Sequence, residues 1–263
     1  MKWNRINALF MRHIYLYKRS MPRIMDIFYW PILELLLWGF ISLYLDKFDL
    51  AGLSVVTVLL GAVIFWDLLS QSQRAVSVGF LEEVWERNFL NIFIAPVTVM
   101  EFLTSMIMLG FVRIVLVGGI MSILAFAFYH FNIFVFGFYL IPFLASLLFF
   151  GWILGLLTTA IILRYGTSAQ VLAFGFIIMI QPFTAVFYPV SALPQTVQYI
   201  SYLLPSTYVF EGMRAVIATG TLPINYLLLS VLTNLIYLGL VLWFFYASFA
   251  RIKRQGRLLR LND

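Results

Sequence analysis

The sequence predicts an all-α polytopic membrane protein, and three observations carry that reading. Of 263 residues, 63% are hydrophobic and mean hydropathy is +0.99, which leaves too little polar surface for a water-soluble domain of this length. Several apolar runs approach or exceed the ~20 residues that cross a bilayer core as a helix. The runs are continuous and do not alternate at period two, which argues against a transmembrane β-barrel.

Residues 1–23 are basic and hold an amphipathic helix, KWNRINALFMRHIYLYKR, over 2–19. Trp3, Ile6, Phe10, Ile14 and Tyr17 share one of its faces, and Arg5, Arg12 and Arg19 another. Such a helix lies at the cytoplasmic interface, held by apolar burial and anionic lipid, with a plain basic flank as the alternative. No apolar h-region precedes residue 25, so a cleaved signal peptide is not expected.

Six spans follow, over 25–45, 53–73, 101–127, 133–163, 169–187 and 224–249, and a basic tail over 250–263 ends the chain. The stretch 188–223 is too apolar for a free loop, yet prolines at 189, 194, 205 and 223 interrupt it, so it reads as re-entrant helices on the outer side. Lys2, Arg5, Arg12, Lys18, Arg19 and Arg23 crowd the first flank, and Arg251, Lys253, Arg254, Arg257 and Arg260 the last. With six spans both flanks share one side, and the positive-inside rule makes it cytoplasmic. The net charge of +6 is thus a topology signal, and no nucleic-acid partner is expected. There is no cysteine, and His13 and His130 stand in separate flanks, so no metal site is expected.

Between spans 2 and 3 lies LEEVWERNFLNIFIAP, an acidic and Trp-containing patch in a chain with only 11% charged residues. On a helix over 81–95, Leu81, Val84, Trp85, Asn88 and Ile92 share one face, and Glu82, Glu83, Glu86 and Arg87 the opposite one. The charged face is either an ordinary solvated connector or a docking surface for a soluble partner; acidic residues do not hold a helix on an anionic leaflet.

The chain resembles the permease subunits of type-2 ATP-binding-cassette (ABC) transporters over nearly its whole length. The most specific part is FYPVSALPQTVQYISYLLPSTYVFEGMR, which is similar to the family's Phe-x-Pro, Leu-Pro, Ile-Ser, Pro-x-Thr-Tyr and Glu-x-x-Arg series. Phe187, Pro189, Leu193, Pro194, Ile200, Ser201, Pro205, Thr207, Tyr208, Glu211 and Arg214 match, and Leu204 stands where the family usually has Asn. In the first half Ile92, Phe93, Ile94, Ala95 and Pro96 fit, whereas Arg87, Asn88, Phe89 and Leu90 replace the usual Gly-Thr-Leu-Glu.

The resemblance implies that 81–95 is the coupling helix, seated on a separate ATP-binding subunit through Glu82, Glu83, Trp85, Glu86, Arg87, Asn88, Phe89 and Asn91. It implies an outer gate around Phe187, Pro189, Pro194, Pro205, Tyr208, Glu211 and Arg214. It also implies an exporter in a prokaryotic cytoplasmic (inner) membrane, acting as a dimer of permeases, for a lipid-linked glycan, lipid or drug-like substrate. The chain has no G-x-x-x-x-G-K-[ST] loop, so ATP and Mg belong to the partner and this chain binds no cofactor and is not itself an enzyme.

Glu34, Asp67 and Arg113 are the charges inside spans, each costly there. Arg113 forms an ion pair with Asp67 or Glu34, or these residues contact substrate or handle protons. The aromatic cluster Phe126, Phe128, Tyr129, Phe131, Phe134, Phe136, Phe138 and Tyr139 reads as an outer interfacial belt. Gly151 and Gly155 permit close helix packing, within this subunit or between two. A stand-alone ion-coupled secondary transporter is the competing function, but the two halves show no inverted repeat.

Overall fold

The computed structural model describes residues 2–47, 55–86, 88–221 and 223–255. All regular structure among them is helical. Helix α1 (Trp3–Lys18) precedes α2 (Met21–Asp46), and α3 (Val55–Trp85) leads through a turn to the short α4 (Phe89–Ile94). Then come α5 (Val99–Tyr129), α6 (Leu140–Tyr165), α7 (Leu172–Ile180), α8 (Gln195–Leu203), α9 (Pro205–Thr219) and α10 (Ile224–Gln255).

Five of these helices, α2, α3, α5, α6 and α10, are long and apolar enough to cross a membrane. The run expected as the fifth span, 169–187, instead holds a shorter apolar helix over Leu172–Phe183. Pro182 lies in its terminal 3-10 turn, and Thr184 and Ala185 leave the helix, Ala185 at φ +52°. The stretch 188–223 holds α8 and α9, and its prolines mark helix starts: Pro194 caps α8, Pro205 opens α9 and Pro223 precedes α10.

Helix α3 is the central pillar. From Val56 to Leu69 it is apolar apart from Thr57 and Asp67, and most of this run is buried against α2, α5, α6 and α7. Below that run its polar residues bond to neighbouring backbones: Ser72 Oγ donates to the Leu148 carbonyl at 2.7 Å and Gln73 Nε2 to the Ala173 carbonyl at 3.2 Å. Gly151 and Gly155 of α6 let the two helices touch, since a Cβ there would lie 2.7 Å from the Leu69 and Gln73 carbonyl oxygens respectively. The small-residue pair therefore packs within the subunit.

At 31 residues each, α3 and α5 are about 46 Å long by a rise of ~1.5 Å per residue, well beyond a ~30 Å hydrocarbon core. A ~20-residue span rule ended span 2 at residue 73, and the helix in fact continues to Trp85. The extra turns form a stem at one end of the bundle. Thr98 and Glu101 form a capping box that starts α5, and Glu101 also accepts the Lys2 backbone N–H at 2.7 Å. Helix α1 thus begins beside the start of α5, and its Tyr17 reaches Arg113 further along that helix. The two run side by side for about 18 Å at ~1.5 Å per residue. The stripe buried is Ile6, Leu9, His13 and Tyr17, while Trp3 stays exposed.

The aromatic cluster divides. Phe126, Phe128, Phe134 and Phe138 are exposed, as a belt requires. Tyr129, Phe131 and Phe136 are core instead, with Phe136 packed edge-on to Phe65 of α3 at 5.3 Å. His130 in the left-handed region turns the chain after α5, and that reversal folds the Phe131 and Phe136 rings back over α3.

Candidate functional site

The stem end of the bundle gathers the chain's densest charge. Glu83 is buried and receives Arg12 on both oxygens, at 2.5 and 3.1 Å. His13 Nε2 lies 2.8 Å from the same carboxylate, and Asn88 Nδ2 donates to it at 2.9 Å. The His13 ring is aimed by its other nitrogen, which meets the Leu9 carbonyl at 2.8 Å. Glu82 accepts the Tyr17 hydroxyl at 3.2 Å and lies 3.6 Å from Arg23 Nε. Glu86 pairs with Arg23 and stands 3.8 Å from Arg12. Burial pushes the Tyr17 phenol well above its usual range, so it stays a donor toward Glu82.

This arrangement differs from the expected one in a specific way. The face carrying Glu82, Glu83 and Glu86 does not look outward; α1 and the start of α2 cover it with Arg12, His13, Tyr17 and Arg23. Three carboxylates within about one turn repel unless cations neutralise them, and Arg12 of α1 and Arg23 of α2 do so. The expected single helix over 81–95 is two pieces. Residues 81–85 finish α3, Asn88 sits in the turn bonded to Glu83, and α4 follows. Trp85 is half-exposed with its indole N–H on Gln170 Oε1 at 3.1 Å. Asn91 is exposed and donates to Asn88 Oδ1 at 3.2 Å. Arg87 and the Phe89 side chain lie outside the described residues.

The tip therefore presents Trp85, Glu86, Asn91 and Ile94, the last 81% exposed. Beside the tip a cleft of 410 Å³ opens between α2, α3, α5 and α7. Arg113 lines it, buried, with its guanidinium 4.6 Å over the Tyr17 ring. A desolvated cation–π contact of this kind is worth about 2 kcal/mol.

The charges within the spans pair differently from the expectation. Asp67 faces Arg74 Nη2 at 3.6 Å, and among the described residues Arg113 pairs with neither Asp67 nor Glu34. Arg74 lies two turns along α3 from Asp67, on the same face, within reach of a long side chain. It was legible at that spacing, but a span ended at residue 73 placed it in a flank. Arg113 stands at the stem end because the first turns of α5 belong to the stem.

At the opposite end, residues expected at an outer gate form a second cluster. Glu211 Oε1 accepts the Val190 N–H at 2.7 Å and Arg214 Nη2 at 3.0 Å. Arg214 also donates to the Val186 and Ala185 carbonyls at 3.1 and 2.8 Å, which holds Ala185 in its left-handed conformation. Phe187 stacks on Trp38 of α2 with centroids 4.0 Å apart, and the Tyr208 hydroxyl donates to the Tyr202 carbonyl at 2.6 Å. Phe187, Pro189, Glu211 and Arg214 border a cavity of 590 Å³. Pro194 and Pro205 shape the helix starts and do not line it.

Neither cluster has the geometry of a hydrolytic or redox site. Among the described residues no group of three His, Cys, Asp or Glu is placed to hold a metal. The described structure has a charged stem at one end, and at the other a cavity bordered by the segment after the short apolar helix. No curated protein matches the chain at a significant level. A family model described as ABC-2 type transporter matches residues 4–218, most of the chain, and the protein belongs to that family as a membrane-embedded permease component.

Proposed function

We propose that the chain is the permease of an ATP-driven exporter, coupled to a separate ATP-binding subunit through the tip that follows α3. The observation that carries this reading is the tip itself: Ile94, Trp85, Asn91 and Glu86 exposed at the end of a stem that outreaches the bilayer core. Behind it Glu82 and Glu83 hold the stem to α1, so a push on the tip is transmitted to α1 and α5 as one body. Their role in coupling is thus to stiffen the lever, while the exposed residues make the contact.

The basic flanks support a cytoplasmic stem with both termini on the same side. The apolar Leu172–Phe183 helix and the broken segment after it make up the fifth of six crossings in this reading. Helices α2 and α10 leave long apolar faces uncovered, which suits a second copy of the permease as well as lipid. Substrate passing between two such copies is amphipathic, a lipid-linked glycan or a drug-like molecule.

Ile94→Asp tests the contact. In proteoliposomes or nanodiscs the wild-type chain should retain an ATP-hydrolysing subunit and stimulate its turnover. The variant should fold with unchanged thermal stability and lose both. Equal retention by Ile94→Asp would remove the tip from the interface. Transport by the chain alone, without ATP, would instead support an ion-coupled transporter and overturn the reading.

A further inference from the structure

We propose that the cleft at the stem is a binding site for a phosphate group carried on an amphipathic molecule, with Arg113 as its anchor. The cleft has a volume of 410 Å³ and is lined by Arg23, Glu82, Trp85, Glu86, Arg113 and Phe174 among others. Arg113 is only 6% exposed, and among the described residues it forms no hydrogen bond and no ion pair. Its Nε is buried without a partner. A guanidinium carries five donors, and burying it is costly unless acceptors meet them. The Tyr17 ring compensates one face of the plane and supplies no acceptor along its edge.

The other charges of the cleft are already engaged. Arg23 serves Glu82 and Glu86, Glu82 also accepts the Tyr17 hydroxyl, and Glu86 also faces Arg12. Glu82 balances part of the Arg113 charge without bonding to it, so what the cleft lacks is an acceptor oxygen within hydrogen-bond reach of the guanidinium. A phosphate supplies such oxygens in the paired geometry a guanidinium prefers. Its charge is opposed by Glu82 close by, so an isolated phosphate binds poorly and an attached apolar body has to contribute. The rim provides for that body: Trp85 is 49% and Phe174 42% exposed, two aromatic rings beside a polar floor. The volume admits a headgroup and the first part of a chain, with the rest left in the leaflet. The ligand is therefore a phospholipid-like anion, either a lipid of the surrounding bilayer or an amphipathic cargo with the same headgroup chemistry. The site shares Trp85 and Glu86 with the tip, but binding at Arg113 needs no ATP-binding subunit.

The experiment uses the full chain in detergent, with a short-chain phosphatidylglycerol, the matching diacylglycerol and inorganic phosphate as separate probes. Binding is read from tryptophan fluorescence, with Trp85→Phe as the signal control. The wild type should respond to phosphatidylglycerol and not to diacylglycerol. Arg113→Gln should weaken that response at least about tenfold and Arg113→Lys less, since lysine keeps the charge and loses the paired geometry. Equal binding by Arg113→Gln, or an equal response to diacylglycerol, overturns the site. Displacement of the lipid by inorganic phosphate alone would keep the anion site and reassign its occupant to a soluble phosphate. If the Arg113 variants do not fold, Phe174→Glu at the exposed rim serves instead. It should leave thermal stability unchanged and weaken phosphatidylglycerol binding, and unchanged binding refutes the proposal.

Discussion

Replacing Glu83 by Gln should loosen α1 from the stem, and the geometry sets how much. The carboxylate is buried and meets Arg12 at 2.5 and 3.1 Å, His13 at 2.8 Å and Asn88 at 2.9 Å. Glutamine keeps the shape and one acceptor oxygen, but removes the charge that Arg12 faces. Breaking a fully buried pair costs about 3–5 kcal/mol. Arg12 is one-third exposed and partly rehydrates when released, so about 2–3 kcal/mol is the expected loss. At ~1.36 kcal/mol per tenfold, α1 then opens about 30- to 150-fold more often. The chain has no cysteine, so Ile6→Cys, at a position only 2% exposed, gives a clean reporter. Its alkylation rate should rise by that factor in the Glu83→Gln background. Glu86→Gln is the control: Glu86 is more than a third exposed and Arg23 keeps Glu82, so the effect should stay within about 1 kcal/mol. Equal labelling rates in the two backgrounds would refute the idea that Glu83 holds α1 to the stem.

Three further outcomes follow from the packing. Arg74→Met should lower thermal stability by about 2.5–3.5 kcal/mol because it strands Asp67 inside a span, and adding Asp67→Asn should recover much of that loss; no recovery would mean that the 3.6 Å contact is incidental. Gly155→Ala places a methyl 2.7 Å from the Gln73 carbonyl oxygen and should cost about 1–3 kcal/mol in detergent unfolding, whereas Gly119→Ala, with nothing within 4 Å, should be neutral or stabilising; similar shifts for both would argue against the α3–α6 contact. Ala185→Gly should raise stability by about 0.5–1 kcal/mol, since the backbone there sits at φ +52°, and a loss of stability would show that the methyl is needed for packing.

Much of the architecture could be read from residue order. Continuous apolar runs mark the long helices, because a bilayer core demands both apolarity and internal hydrogen bonding along some 20 residues. The prolines of 188–223 announce helix starts, since proline fits the first turn and disrupts the interior. The resemblance to ABC permeases was carried by that same segment, and the family match over residues 4–218 agrees with it. Helix ends were harder. Composition showed where α3 is apolar, but its polar extension to Trp85 is stabilised by contacts with α1, α5 and α7, which a window along one segment does not see.

The pairing of charges lay furthest from what residue order could say. Helical periodicity assigns Glu82, Glu83 and Glu86 to one face, and it does so correctly. It cannot say what stands opposite that face, because the angle of a side chain about its own helix axis carries no information on which helix packs there. Arg12 and Glu83 are 71 positions apart, and only the course of α1 along α5 brings them to 2.5 Å. Composition and periodicity thus settle the helices and their faces through short-range sterics and hydrophobicity. Which face is solvated, which is neutralised and which cleft holds an unpaired arginine are set by long-range packing, where each burial depends on a neighbour supplied from elsewhere in the chain.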